Sequence, residues 1–215
     1  MQYVRIFLLC ATMIVIGCCN SIDGKNLSGI VPCTDGISAD SLIEMSKKPY
    51  MVPYVKYLLK DIIPVKDKNL WSYTLAYIDD DEIPEMIVRC NKCFPIPIFV
   101  LAQHDGIVGS IEARHEVVYN ESEGLLIINT GGQLESTSRV FKLKNGKFDL
   151  TAVKKEIWLD DIDYYFNDAK VDQETAERLL EEAFEYKEAS INIEDLEWRD
   201  WIDLLNHKES ISGWK

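Results

Sequence analysis

The chain has 215 residues, a formal net charge of −13 and an isoelectric point near 4.7. A surface this acidic repels phosphate backbones, so we expect no nucleic-acid partner. Because 47% of the residues are hydrophobic, the composition argues against a disordered chain and predicts a globular body.

The first 17 residues contain one charge, Arg5, which is followed by the apolar run Ile6–Ile16. This run is too short to span a bilayer, because a membrane-spanning helix needs about 20 apolar residues. A basic start, a short apolar centre and a small residue before the break are typical of a bacterial export signal. We therefore predict that residues 1–17 form a signal peptide.

The sequence Val-Ile-Gly-Cys at the end of this segment resembles the lipobox of bacterial lipoproteins. In that family the cysteine thiol receives diacylglycerol, the signal is cut before it, and the new amino group is usually acylated. The resemblance implies lipidation of Cys18 rather than Cys19, because only Cys18 follows the small residue Gly17. It also implies a lipid-anchored protein, partnered by the bilayer, on the periplasmic or extracellular face of a cell membrane or outer membrane. An ordinary signal peptide or a single apolar anchor is the alternative.

Residues 18–40 are rich in polar and small residues and show no apolar periodicity, so we predict a lipidated flexible tether. The predicted single domain, residues 41–209, opens with helical patterning. Ser41 and Glu44 have the spacing of a capping box. Pro53 suits the first turn of a second helical segment, which Pro64 ends.

From Trp71 the pattern changes to short segments rich in aromatic and β-branched residues. The segments are WSYTLAYI, EMIVRC, IPIFVLAQ, GIVGSIEA, HEVVYN, GLLIINT, STSRVFKLK and KFDLTAVKKEIWL. The sequences His104-Asp105-Gly106 and Asn145-Gly146 separate two pairs of them, and Asn-Gly between strand-like runs is a strong hairpin signal. Short connections of this kind predict an antiparallel meander rather than β-α-β units.

The chain then returns to helical patterning. Asp172 is predicted to cap one helix. Asn192 is predicted to cap a last helix, with Trp198 and Trp201 on the face that packs against the sheet. A sugar- or peptide-stacking surface is the alternative role for these tryptophans. The predicted fold class is α+β, an antiparallel β-sheet meander flanked by N-terminal and C-terminal helices.

The segment Tyr73–Val88, YTLAYIDDDEIPEMIV, is the most informative motif of the body. It resembles a motif found in small exported or lipid-anchored bacterial proteins. Their pattern is a Y-A-L strand, alternating aspartates, then I-P-E-L and another strand. The resemblance covers roughly Trp71 to Val153. It implies fold and location rather than activity, because most members have no assigned activity.

Alternating aspartates in a tight loop can present oxygen atoms to one Ca²⁺ ion, and a later carboxylate can complete the shell. Asp79 and Asp81 keep this spacing and Glu85 supplies the later carboxylate, so these three residues are the candidate calcium site. A tyrosine replaces the first aspartate of the fuller motif, and acidic residues replace its glycines, which reduces backbone freedom. An acidic hairpin without a metal is the alternative, and no other cofactor is expected.

Cys90 and Cys93 form a C-x-x-C pair in a chain that is predicted to be exported. Because Pro95 and Pro97 follow, the pair does not open a helix, as a redox site of the thioredoxin type requires. A structural zinc site commonly uses two such pairs, and the sequence has one. We predict a local disulfide or free thiols in a turn. A bridge to Cys33 and metal or redox chemistry are the alternatives.

Residues 156–209 contain 18 acidic and five basic residues, and the rest of the chain is close to neutral. Solvated helix faces account for this charge, and a surface that attracts a basic protein partner is the alternative. The sequence has no catalytic motif such as G-x-S-x-G or H-E-x-x-H. We therefore predict a non-catalytic binding or envelope-associated module. The alternatives are an immunity-type protein that neutralises a basic toxin and a hydrolase of the cell envelope.

Overall fold

The computed structural model describes residues 37–63, 69–121, 123–159, 161–184 and 190–214. They belong to one compact unit, Cys33–Lys215. The predicted signal peptide, the lipidation at Cys18, nearly all of the predicted tether, Cys33 and the predicted helix end at Pro64 lie outside the described residues and stay predictions. Within the described residues, no helix has the length and apolar character needed to cross a membrane.

Two short helices precede the sheets. Helix α1 spans Ala39–Met45, and α2 spans Met51–Tyr57 and continues as a π-helical turn over Leu58–Ile62. The side-chain oxygen of Ser38 caps α1 by accepting a hydrogen bond from the backbone N–H of Ser41. The capping box predicted at Ser41 is therefore wrong, because Ser38 offers the same hydroxyl chemistry three residues earlier and the helix gains a turn.

The strands of the described residues form two sheets. In chain order they are β1 (Trp71–Ala76), β2 (Glu85–Cys90), β3 (Ile98–His104), β4 (Ile107–Ala113), β5 (Val117–Asn120), β6 (Leu125–Gly131), β7 (Glu135–Lys144), β8 (Lys147–Trp158), β9 (Ile162–Phe166), β10 (Ala169–Val171), β11 (Ser190–Asn192) and β12 (Arg199–Asp200). The first sheet has the order β12-β1-β2-β3-β4, and the second has the order β10-β9-β8-β7-β6-β5-β11. Helix α3 (Gln173–Phe184) follows β10, and α4 (Trp201–Asn206) follows β12.

The predicted α+β class is confirmed, because antiparallel strands dominate and helices precede and follow them. The eight predicted strand segments are the strands β1 to β8, although they divide between two sheets. Hairpin turns lie at Asp105-Gly106 and Asn145-Gly146, where all four residues have positive φ. Gly, Asn and Asp adopt this backbone conformation at low cost, and it matches the twist of the flanking strands. Asp172 caps α3, as predicted, by accepting from the Thr175 backbone N–H at 2.8 Å.

The C-terminal part differs from the prediction. Asn192 caps a single 3₁₀ turn, Ile193–Asp195, and α4 begins only at Trp201. Trp198 therefore lies ahead of the helix rather than on its face. The physical reason is that Arg199 and Asp200 pair with the edge of β1 as strand β12, and an extended backbone is incompatible with a helix through these residues.

The fold has four layers, in the order helices, first sheet, second sheet, helix. One core cluster lies between the first sheet and helices α1, α2 and α4, where Trp201 is buried. A second cluster lies between the two sheets and contains Val100 and Leu126. A third cluster lies beneath α3 and contains Val140 and Phe184.

Alternation along the strands produces these layers. In β6, Leu126 and Ile128 belong to the cluster between the sheets, whereas Leu125 and Ile127 belong to the cluster beneath α3. Because both faces of such a strand are covered, its sequence is a continuous apolar run rather than an apolar–polar alternation.

Candidate functional site in the loop between the first two strands

The three carboxylates of the predicted calcium site lie together in the structure. Asp79 and Asp81 lie in the loop that joins β1 to β2, and Glu85 is the first residue of β2. One ligand oxygen from each of the three residues lies within 4.8 Å of those of the other two. The chain reverses here, with Ala76 paired to Glu85, and this reversal brings the loop carboxylates to the strand carboxylate.

Backbone N–H groups orient these side chains. The N–H of Ile78 donates to Glu85 Oε2 at 2.8 Å. The N–H of Asp81 donates to Asp79 Oδ1 at 3.2 Å, and the N–H of Ile83 donates to Asp81 Oδ1 at 2.6 Å. The two aspartates thus each bind the backbone two residues ahead, which is a turn-forming property of this residue type. The local sequence therefore accounts for the shape of the loop.

The site is largely buried and negatively charged. Glu85 is 2% exposed and Asp79 is 8% exposed, whereas Asp81 is partly exposed. Burial raises the pKa of Glu85 well above its ordinary value, and the charge of Asp79 raises it further. Burial also raises the pKa of Asp79. Among the described residues, no Lys, Arg or His forms an ion pair with any of the three carboxylates.

Neighbouring elements hold the loop in place from two sides. From α2, the Tyr54 hydroxyl donates to the Pro84 carbonyl at 3.1 Å. From the turn between β5 and β6, the Gly124 N–H donates to the Ile78 carbonyl at 2.6 Å. Gly124 has φ +67°, and a Cβ atom there would lie 2.6 Å from the Leu143 carbonyl oxygen. The acidic loop is therefore packed between the first helical layer and the second sheet.

Three carboxylates without a positive partner can be stabilised by protonation of Glu85 or by a bound cation. Calcium takes about six to eight oxygen ligands, so backbone carbonyls or water would have to complete the shell. Tyr77 brings no carboxylate, and Asp80 and Glu82 are exposed. The donor set fits part of a calcium shell, and calcium binding stays a prediction.

The cysteine pair occupies the turn between β2 and β3. The sulfur atoms of Cys90 and Cys93 are bonded to each other, and their Cα atoms are 5.5 Å apart. In this bonded state neither sulfur is a thiolate ligand for a metal. The same turn carries Phe94, which is 99% exposed, and Ile96, which is half exposed.

The C-terminal acidic residues lie partly on α3. Glu174, Glu181 and Glu182 are exposed on this helix. Glu177 instead accepts a hydrogen bond at 2.6 Å from the ammonium group of Lys154 in β8. Helix α3 therefore presents carboxylates to solvent, of which Glu182 is paired with Arg178, while its apolar residues and the Lys154–Glu177 ion pair hold it to the second sheet.

A second polar site was not expected from the sequence. The register of β7 and β8 places Arg139 opposite Val153 and Thr137 opposite Lys155. All four residues line a cavity of about 450 Å³. No motif marks them, because they lie on two strands and only the strand pairing brings them together.

No protein-family model matches the chain, and no curated protein or solved structure matches it either. The resemblance carried by Tyr73–Val88 therefore stays a prediction from the sequence.

Proposed function

We propose that this protein is a lipid-anchored, exported bacterial protein whose folded domain acts as a non-catalytic binding module at the cell envelope. The observation that carries the proposal is the N-terminal sequence, in which a short apolar segment ends at Gly17-Cys18. A thioether-linked diacylglycerol with a further acyl chain anchors firmly, because each buried methylene contributes about 0.8 kcal/mol. The domain would then stand on the periplasmic or extracellular face of the membrane.

The bonded cysteine pair supports export. Disulfides persist in oxidising compartments and are rare in the cytosol. Cys90 and Cys93 are bonded in the turn between β2 and β3. This pairing is the state expected of a protein that folds outside the cytoplasm.

The choice of binding over catalysis rests on the sequence and on the surface of the domain. The sequence lacks motifs for an activated nucleophile, a catalytic metal or a nucleotide phosphate. The surface offers exposed carboxylates on α3 and a polar cavity between β7 and β8. Both features are suited to recognition by charge.

Palmitate labelling of the full chain in a bacterial host tests the anchor. We expect labelled protein in the membrane fraction, with a mature N-terminus at an acylated Cys18 in mass spectrometry. The Cys18→Ser variant should lose the label. The Cys19→Ser variant is the matched control and should keep it. Equal labelling of Cys18→Ser and the parent chain, or native protein that retains Met1 and an unmodified Cys18, would refute the proposal.

A second candidate within the binding class is an immunity-type protein that captures a basic toxin. The exposed carboxylates Glu174, Glu181 and Glu182 on α3 favour it. Affinity capture from the native envelope should retain one basic protein, and moderate salt should release it. Replacing Glu174 and Glu181 with Gln should weaken retention. Capture of a partner that responds neither to salt nor to these substitutions would reject this candidate.

A further inference from the structure

The cavity lies over the paired strands β7 and β8 and beside the turn between β9 and β10, on the face of the second sheet that does not carry α3. Its lining consists of Thr137, Arg139, Val153, Lys155, Asn167 and Asp168. Val140 and Ala152, the neighbours of Arg139 and Val153 along their strands, belong to the core beneath α3. Because successive strand residues point to opposite faces, Arg139 and Val153 point away from α3.

The side chain of Arg139 contains a buried hydrogen-bond donor that has no acceptor. Its Nε atom is buried and has no hydrogen-bond partner. No described acidic residue forms an ion pair with its guanidinium group. Buried N–H donors in native proteins almost always have an acceptor, and an exception calls for an explanation. Nε itself is enclosed by protein atoms, so a ligand in the cavity would meet this side chain at its terminal NH₂ groups, which are not among the enclosed unpartnered atoms.

Two further donors lie beside this guanidinium. The side-chain Oδ1 of Asn167 accepts from the backbone N–H of Val153 at 2.9 Å. This bond fixes the amide orientation and leaves the NH₂ group of Asn167 as a donor. Thr137, whose side chain carries a hydroxyl, lines the same cavity. The cavity thus combines a guanidinium, an amide and a hydroxyl donor.

The charge of the lining is small and positive. Lys155 and Asp168 form an ion pair with 3.3 Å between Nζ and Oδ1. Their charges cancel to a first approximation, which leaves the single positive charge of Arg139. One positive charge matches a carboxylate, whereas a phosphate group carries more negative charge at neutral pH and is repelled more strongly by the carboxylate of Asp168.

We propose that this cavity is a binding site for a ligand that carries a carboxylate group, such as an acidic sugar or a small organic acid. The guanidinium fork of Arg139 holds the carboxylate oxygens, and Asn167 and Thr137 bind neighbouring polar atoms of the ligand. The site goes beyond the proposed function and does not depend on acylation of Cys18. A failure of one proposal therefore leaves the other standing.

Nuclear magnetic resonance of the ¹⁵N-labelled full chain in detergent tests the site at constant ionic strength. The probes are sodium glucuronate, glucose and inorganic phosphate. We expect saturable shifts of the Arg139 side-chain Nε–H signal and of the Val153 amide signal with glucuronate. Glucose should produce none, and phosphate should bind more weakly. Absence of saturable shifts with glucuronate, or tighter binding of phosphate, would overturn the proposal.

Three variants separate recognition from general charge effects. Arg139→Gln should weaken glucuronate binding by about tenfold or more. Lys144→Gln removes the same charge from an exposed position of the same strand and should leave the affinity unchanged. Asp168→Asn, at an exposed turn position, removes the negative charge from the lining and should tighten binding by about threefold. If Arg139→Gln does not fold, Asp168→Asn decides alone, since an unchanged or weaker affinity in that variant contradicts the proposal.

Discussion

Glu85 carries an ionisable carboxylate at a position that the fold buries. Alternation in β2 places Glu85 on the same side as Ile87, which is in the core between the sheets, while Met86 faces the helices. Its carboxylate is buried next to that of Asp79. The negative charge of Glu85 contributes to the raised pKa of Tyr119, after burial and the charge of Glu121. A charge in this position costs stability unless a proton or a cation compensates it.

The first prediction concerns the pH dependence of stability without metal. Because the pKa of Glu85 is raised in the folded state, the native protein retains a proton that the unfolded chain has already lost. The free energy of unfolding therefore falls as pH rises from the ordinary glutamate pKa through the raised value, and is constant above it. Glu85→Gln keeps an acceptor for the Ile78 N–H and removes the charge. In EDTA at pH 7.5 its Tm should exceed that of the parent by about 2–4 °C, corresponding to about 1 kcal/mol.

Thermal melts of both proteins between pH 4 and pH 8 measure this effect. The difference in Tm should shrink toward pH 4, where Glu85 is mostly protonated in both states. A difference that is constant across this range would show that the substitution acts through packing and not through charge.

The second prediction concerns calcium. Millimolar CaCl₂ at pH 7.5 should raise the Tm of the parent protein, because binding to the native state alone stabilises it. Asp81→Asn and Glu85→Gln should lose this increase. Asp80→Asn is the matched control, because Asp80 is exposed and lies outside the group of three carboxylates. If the Tm of the parent protein in CaCl₂ equals its Tm in EDTA, the loop does not bind calcium and is an acidic hairpin only.

At the scale of elements, the turn between β5 and β6 is tied to the acidic loop by a backbone approach that only glycine permits. The Gly124 N–H donates to the Ile78 carbonyl, and the Leu143 N–H donates to the Gly124 carbonyl at 2.5 Å. Gly106, in the turn between β3 and β4, has a similar φ of +77° but no atom within 4 Å of an added Cβ. A side chain at either position meets the cost of a left-handed backbone conformation, but only a side chain at Gly124 also meets the cost of close packing.

The third prediction compares these two positions. Gly124→Ala should lower the free energy of unfolding by about 2–5 kcal/mol, because a left-handed conformation and an overlap with backbone both oppose the methyl group. Gly106→Ala should cost only about 1–2 kcal/mol, since it meets the conformational cost alone. Urea denaturation measures both values. Equal losses would mean that the turn between β5 and β6 moves away without penalty and does not support the acidic loop.

At the scale of the whole molecule, the four layers cover central strands on both faces, and three of the four sheet edges, β10, β11 and β12, are short, whereas the edge strand β4 has seven residues. Strands β2 and β6 lie inside their sheets, and β2 and the first four residues of β6 are buried on both faces. Strand β10 has three residues at one edge of the second sheet, and β12 has two at one edge of the first. The backbone of a buried strand that is hydrogen-bonded to a neighbour on each side opens only when the whole domain unfolds. A short strand at the edge of a sheet opens locally.

The fourth prediction follows from this arrangement. In native-state hydrogen exchange, the amides of Ile87 and Ile127 should exchange with the free energy of global unfolding. Amides of β10 should exchange with a much smaller free energy and without dependence on denaturant. Equal protection of β6 and β10 would contradict the picture of a covered centre and short edges.

Features that depend on neighbouring residues could be predicted from the amino-acid sequence. Strands β1 to β8 could be predicted because each carries its own apolar pattern and most of them are followed by turn-forming residues. The group Asp79, Asp81 and Glu85 could be predicted because one short loop brings its members together. Asn167-Asp168 has positive φ at both residues and is a turn-forming pair, so it could have indicated the hairpin of β9 and β10.

The division of the strands between two sheets, the late start of α4 and the cavity around Arg139 could not be predicted from local sequence patterns. Each of these depends on pairing between segments that are distant in the chain. The start of α4 is set by Arg199 and Asp200, which pair with β1. The cavity depends on the register of β7 and β8, which places Thr137 opposite Lys155. Local sequence patterns indicate which residues favour a strand. The free energy that selects its partner strand comes from burial of both faces in the complete fold.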